Sequence, residues 1–447
     1  MGGGHGKMAS VSIPEQKTAC RRRAMMLLCL SVGLVGLIGG GLRIALEGPG
    51  VLGVSNAVPW GWDVVQFVFW IGLGHAGTLI SAVLLLTRQE WSRGIARQAE
   101  LMTLCAVSVA AVFPAVHVGR VWMEWMFYPG PLPGGLWPNA ASPLVWDPVA
   151  IGAYFLLSVL YAAMGLRAGQ GMTPEQRNSR ARACLLMAGV LTPLVVTVHS
   201  VVGCDFAVLL RWHASFLPPY FVCGAILSGL AMVQLIVRGM GGAVPVPLMR
   251  LTAGVATGMG VFYALELVES PMLFDAVYVA VISLNVAAPL CLLLPVVQRR
   301  GVLQVLIGAG VLVGMWLERV HIIVRRSEML FGVDYMPTRT DVAMLVGSMG
   351  AFIGLFLLLD ARLPQGGPDG GNAASAPPGQ GRVAWLGGLI GVFAAACWLY
   401  ATQGAETAGV LTGRPHGVFF QVPVYTVCGL LGAGVAIYMN LMRRLRM

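Results

Sequence analysis

Residues 63–87 read DVVQFVFWIGLGHAGTLISAVLLLT. After Asp63 the run carries no acidic or basic side chain except His75, and it exceeds the roughly 20 residues that a helix needs to cross a bilayer. Runs of this kind recur along the whole chain. Helices are predicted at 25–45, 63–87, 99–119, 147–167, 183–203, 217–238, 250–270, 277–298, 302–324, 341–360, 384–402 and 423–442. Composition agrees: the 447 residues are 57% hydrophobic and 11% charged, against roughly 25% charged in soluble domains. Mean hydropathy is +0.78. Length alone would suggest about three soluble domains, but the apolar runs override it. The reading is an all-α integral membrane protein with about 12 transmembrane helices and no sizeable soluble domain.

The net charge of +10 does not indicate nucleic acid, because the basic residues sit in short loops between apolar runs. The N-terminus, the loops 88–98, 167–182, 238–250, 298–301 and 361–383, and the C-terminus hold most of the 29 lysines and arginines. The positive-inside rule puts both termini in the cytoplasm. Arg319, Arg325, Arg326 and Arg339 run against the rule. Acidic residues lean to the opposite face, among them Glu124, Asp147, Asp205, Glu266, Glu269, Glu318 and Glu328, a hint of proton or cation chemistry there. Trp60, Trp62, Trp122 and Trp125 fit an interfacial belt. The basic stretch Lys17, Arg21, Arg22, Arg23 precedes a long run without a clear small-residue cleavage site, so the first helix reads as uncleaved.

Two breaks organise the chain. The stretch 363–383, LPQGGPDGGNAASAPPGQGRV, has linker composition. It separates a cytoplasmic N-terminus (1–24) and a ten-helix membrane domain (25–362) from a two-helix membrane segment (384–447). The loop 120–146, rich in Pro, Gly and aromatic residues, is expected to pack over the membrane surface. Within the ten helices, the second to fifth and the sixth to ninth have similar lengths and order. That is compatible with two four-helix bundles plus flanking helices.

None of the nine cysteines forms C-x-x-C or C-x-x-C-H, which argues against covalently attached haem and thiolate-held iron–sulfur clusters. The segment AVFPAVHVGRVW sets His117 and Arg120 at the end of the third helix, just after Pro114, and SPLVWDPVA sets Asp147 at the start of the fourth. Topology puts His117 and Asp147 at one depth on adjacent helices. A histidine facing a carboxylate suits quinol oxidation, in which each ring hydroxyl needs a proton acceptor. On spacing alone Asp147 could equally cap its helix, with His117 an interfacial polar residue. His75 lies deep in its helix among Gly72, Gly74 and Gly77, which allow close helix approach. A haem b would need a second histidine at that depth, and His5, His199, His213, His321 and His416 are read at helix ends or in loops. Glu266 and Glu269 are three apart and share a helix face. Adjacent Glu318 and Arg319 do not, so each is expected to pair with a different helix. No nucleotide loop, H-E-x-x-H or G-x-S-x-G occurs, which excludes a self-contained soluble enzyme.

Together VPWGWDVVQFVFWIGLGHAGTLIS, FPAVHVGRVW, LWPNAASPLVWD, TVHSVVGCDFA, WHASFLPPYFVCGAILSG and GMWLERVHIIV closely resemble the NrfD/polysulfide-reductase membrane-subunit family. Within it they resemble the quinol-oxidising membrane subunit of alternative complex III, over roughly residues 25–362. The tail from Ala384 resembles, more weakly, the two-helix portion of a small membrane subunit of that complex. The resemblance implies a quinol oxidoreductase subunit of the bacterial inner membrane, active only with partner subunits. Those partners would be an iron–sulfur subunit, multihaem cytochrome c subunits, a second NrfD-like membrane subunit and small membrane subunits, in a lipid bilayer. It implies menaquinol or ubiquinol as substrate, no haem or iron–sulfur cluster in this chain, and a quinol site near the extracytoplasmic face on His117 and Asp147, with Arg120 beside them. Its proton path would draw on His75, His199, Asp205, Glu266, Glu269, Glu318 and Arg319. Two other readings stay open: a quinone-reactive subunit of another complex of this family, feeding a molybdenum subunit, or a secondary transporter. Polar residues crowding one face count against the transporter.

Overall fold

The computed structural model describes residues 13–87, 95–119, 122, 143–166, 173–209, 216–269 and 274–363, with backbone alone for 13–19, 143–149, 165–166, 207–209 and Glu269. The linker beyond Leu363 and the expected helices 384–402 and 423–442 lie outside these residues, as does most of the 120–146 loop. All ten earlier helices are present: α1 (Ile13–Glu47), α2 (Trp62–Thr87), α3 (Ala96–Ala110) with α4 (Val112–Val118), α5 (Pro143–Leu166), α6 (Pro174–Leu209), α7 (Leu217–Gly239), α8 (Val246–Glu269), then two interrupted helices and α14 (Arg339–Arg362). The first interrupted helix runs through α9 (Ala276–Ile282), a π-turn (Ser283–Ala287), α10 (Ala288–Leu290), a 3-10 turn (Cys291–Leu293) and α11 (Pro295–Arg299). The second runs through α12 (Gly301–Val320), a π-turn (His321–Arg325) and α13 (Arg326–Phe331). Nine of the described helices are long and apolar enough to cross a membrane. Leu27, Leu28, Val35 and Leu42 on α1 and Val302 and Leu306 on α12 stand exposed, as lipid-facing positions do. The chain is a multi-pass, all-α membrane protein.

Local chemistry sets the helix ends. The Thr338 hydroxyl accepts the Asp341 N–H, and the Asp341 carboxylate accepts the Thr338 N–H, a reciprocal cap that starts α14. Asp275 caps α9 by accepting the Tyr278 N–H at 2.8 Å. The expected helix 99–119 breaks at Ala111. Pro114 has no amide hydrogen for the Ala110 carbonyl, and its ring crowds that turn.

Packing follows the rule for apolar surroundings, where backbone proximity replaces the hydrophobic effect. Helices α2 to α6 make one bundle and α7 to α13 a second, joined where α7 packs on α2 and α6. The two flanking helices, α1 and α14, run against each other along glycines: a Cβ on Gly36 would lie 2.6 Å from the Gly347 Cα. At their far end Asp360, fully buried, receives both Arg22 and Arg97. Helix α2 is enclosed on nearly every side, and its glycines do what the sequence suggests. A Cβ on Gly77 would meet the Ala99 carbonyl oxygen at 2.6 Å.

Candidate functional site

Asp63 lies in the first turn of α2, where the helix N-terminus favours negative charge. Its Oδ1 accepts the Gly61 N–H at 3.2 Å. The stretch of chain leading into α2 is held by Tyr335, which accepts the Trp62 N–H at 3.2 Å and donates to the Leu52 carbonyl at 3.1 Å. Burial pushes the Tyr335 phenol above its ordinary pKa, so it stays protonated and keeps donating. Helix α4, set off from α3 by the Pro114 break, ends at Gly119 with φ 68°, and this short element carries His117. The His117 Nδ1 lies 2.7 Å from the Asp63 Oδ2. The acid is buried, its side chain 1% exposed, and the imidazole is 23% exposed in front of it.

Sequence reasoning pairs His117 with Asp147. Asp147 is in the first turns of α5, but its side chain and the whole of Arg120 lie outside the described residues. The described partner, Asp63, is one that sequence reasoning missed. The available signal was an aspartate opening an otherwise uncharged transmembrane run, which reads equally as a helix cap.

A second polar set runs through the interior. His75 and His199 face each other with Nδ1 atoms 3.0 Å apart, both buried. This corrects the placing of His199 at a helix end. Helix α6 extends to Leu209 instead of stopping near 203, so His199 sits well inside it, and His321 likewise sits within a continuous, buried helical stretch. Neighbouring the pair, the Tyr154 ring lies edge-on to His75 at 4.4 Å, and the Tyr154 hydroxyl is 2.9 Å from Thr78 Oγ1. Further along α2, Ser81 donates to Glu100 at 3.0 Å and lies 3.3 Å from the Tyr161 hydroxyl.

In the second bundle, Tyr263 donates to Glu318 at 2.5 Å and Asn285 donates to the same oxygen at 3.3 Å. Tyr278 donates to Glu266 at 2.8 Å. Arg319 donates to Glu318 at 2.6 Å, a contact not expected of adjacent residues, while each also meets a different helix as expected, Glu318 through Tyr263 of α8 and Arg319 through Phe221 of α7. Neighbouring residues on a helix diverge by about 100°, but the long arginine side chain curls back to the carboxylate beside it in a dry surrounding. Arg319 also lies over the Phe221 ring, 5.7 Å from its centre, and Phe221 lies beside His199. Asp205 is buried near the end of α6, and the Glu269 side chain lies outside the described residues. Asn285 and His321 each sit on a π-turn, a feature common at functional sites. The structure thus brings His75, His199, Arg319, Glu318 and Glu266 into one interior band and leaves His117 with Asp63 at the mouth of the first bundle. Among the described residues no three His, Cys, Asp or Glu side chains converge as a metal site.

A double bundle of membrane helices, with an acid–histidine pair at one mouth and a buried band of ionisable residues, defines an all-α multi-pass membrane protein. The chain belongs to the NrfD polysulphide reductase family, whose model, described as "Polysulphide reductase, NrfD", matches residues 50–327. It is similar to a Halobacterium salinarum protein that carries the name of a dimethyl sulfoxide reductase membrane subunit, with 26% identity over 41% of this chain and 44% of that protein. It is also similar to an Hdr-like menaquinol oxidoreductase integral membrane subunit of Archaeoglobus fulgidus, with 24% identity over 41% of this chain and 43% of that protein. The chain thus spans less than half the length of these relatives. Both are named as membrane subunits of oxidoreductases.

Proposed function

We propose that this chain is the quinol-oxidising membrane subunit of a respiratory complex of the alternative complex III type. The observation that carries the reading is the partly exposed His117 backed by the buried Asp63 carboxylate at the mouth of the first bundle. A quinol that becomes a quinone releases two protons and two electrons. His117 takes one proton and Asp147 the other, with Arg120 helping to hold the aspartate ionised. The chain itself holds no haem or iron–sulfur cluster in this reading, so the electrons pass to an iron–sulfur subunit and on to multihaem cytochromes c. The menaquinol oxidoreductase relative supports a quinol substrate. Both termini lie in the cytoplasm and the site near the extracytoplasmic face, on the distribution of basic residues. The interior band of His75, His199, Arg319, Glu318 and Glu266, with Asp205 and Glu269 near its outer end, supports coupling to proton translocation. The dimethyl sulfoxide reductase relative favours a second reading, in which the same site serves a molybdenum subunit. The haem and molybdenum content of the co-purified complex separates the two.

The test is turnover of quinol against an acceptor in His117→Ala and Asp147→Asn, with assembly checked by co-purification of the partners. Loss of an acid–base group costs about 100- to 10,000-fold in rate, and each variant is expected to assemble and lose at least the lower figure. Assembled variants within a few-fold of wild type would move the site elsewhere.

A further inference from the structure

The two oxygens of Asp63 are divided between two tasks. Oδ1 accepts the Gly61 N–H at 3.2 Å, reaching back to the residue just before the helix as an acid in the first turn does. Oδ2 lies 2.7 Å from His117 Nδ1, a contact that helix capping does not require. Two facts decide what the second contact can do. The Asp63 side chain is 1% exposed and that of His117 is 23% exposed, so a substrate reaching the mouth of the bundle meets the imidazole and not the carboxylate. The acid is also fixed in place, because its own turn is pinned through Trp62 to Tyr335 and through Tyr335 to Leu52. An ionised carboxylate can only accept hydrogen bonds. With Asp63 ionised and His117 neutral, Nδ1 carries the ring proton, and Nε2, on the far side of the ring, keeps its lone pair.

We propose that Asp63 is the positioning residue for His117: it locks the imidazole in the Nδ1–H form, so that Nε2 is the base that receives a quinol hydroxyl proton, and it balances the imidazolium that results. This rests on the quinol-oxidising reading above. In the step, the quinol O–H bond breaks and an Nε2–H bond forms. The second hydroxyl proton goes to Asp147, and the two electrons leave one after the other through an iron–sulfur cluster of the partner subunit, which passes the first on before it takes the second, as the ring becomes quinone. Asp63 exchanges no proton with the substrate. An asparagine at this position would keep the shape and the Gly61 contact through its carbonyl. Turned so, its amide would present N–H to Nδ1 and favour the opposite ring tautomer, with Nε2 protonated and unable to accept.

The experiment uses the assembled complex with Asp63→Asn, Asp63→Glu, His117→Ala and the Asp63→Asn/His117→Ala double variant. Turnover at saturating and limiting quinol is measured alongside nitrogen-15 spectra of the His117 ring in wild type. The expected result is an Nδ1–H ring in wild type and a kcat reduced at least about 100-fold in Asp63→Asn with little change in KM. The double variant should be no slower than His117→Ala, and Asp63→Glu, which keeps the charge, should recover part of the rate. An Nε2–H ring in the wild-type complex overturns the proposal even if Asp63→Asn fails to assemble. So does an assembled Asp63→Asn that turns over within a few-fold of wild type while His117→Ala is inactive, which would leave Asp63 a helix cap and the quinol reading intact. An active His117→Ala removes the quinol reading itself.

Discussion

At the scale of single residues, the interior of this protein is organised by charges buried away from water. Glu318 and Arg319 are each 2% exposed and meet at 2.6 Å. Removing one member of such a pair strands the other and costs about 3–5 kcal/mol, whereas replacing both by apolar residues of similar size is often nearly neutral. Glu318→Ala is therefore expected to lower the melting temperature of the detergent-solubilised protein clearly, and Glu318→Met/Arg319→Met to recover most of the loss. Thermal unfolding followed by tryptophan fluorescence checks this, and a Glu318→Ala variant melting with wild type would mean that the pair contributes nothing to stability. The residues of this band are visible in the sequence as ionisable groups inside apolar runs, because their cost in a membrane makes them conspicuous. Their partners are not. His75 is legible as an interior residue and His199 is not, because a helix boundary error of a few residues moves a side chain from the interface to the interior.

At the scale of elements, helix identity is legible and helix continuity only partly so. The break before Pro114 and the cap at Thr338 follow from local chemistry. The π-turns at 283–287 and 321–325 have no such signature, since nothing in SLNVA or HIIVR differs in kind from its flanks. The glycine seam between α1 and α14 gives a direct test of element packing. A side chain on Gly347 would lie 2.8 Å from the Gly36 Cα, an atom of backbone that cannot rotate away, whereas one on Gly39 would have nothing within 4 Å. Forcing extra atoms into a packed contact costs about 1–3 kcal/mol. Gly347→Leu is expected to loosen α1 from α14, read as a lower melting temperature and faster proteolysis near the N-terminus. Gly39→Leu should behave as wild type. Equal behaviour of the two variants would show that the seam does not hold the flanking pair.

At the scale of the whole molecule, α1 and α14 flank two bundles that meet where α7 packs on α2 and α6. The family match over residues 50–327 covers both bundles. If the basic loops face the cytoplasm, reporter fusions in the 363–383 linker and at the C-terminus should both report a cytoplasmic location. Periplasmic activity at either position would overturn the predicted count of membrane crossings.

The sequence by itself determined that this is a membrane protein and where ten of its helices lie, because apolar run length is a local property that the bilayer thickness converts directly into structure. It also marked the ionisable residues that must matter, since burying each one is costly wherever it ends up. Only the tertiary structure decided which of them meet. Asp63 and His117 come together because the seven-residue helix α4 packs against the start of α2. His75 and His199 come together because α2 and α6 pack side by side, and a Cβ on Gly72 would lie 3.5 Å from the His199 ring. Those pairings depend on the rotation and depth of one helix against another, which side-chain packing between distant segments sets and no single run of residues encodes.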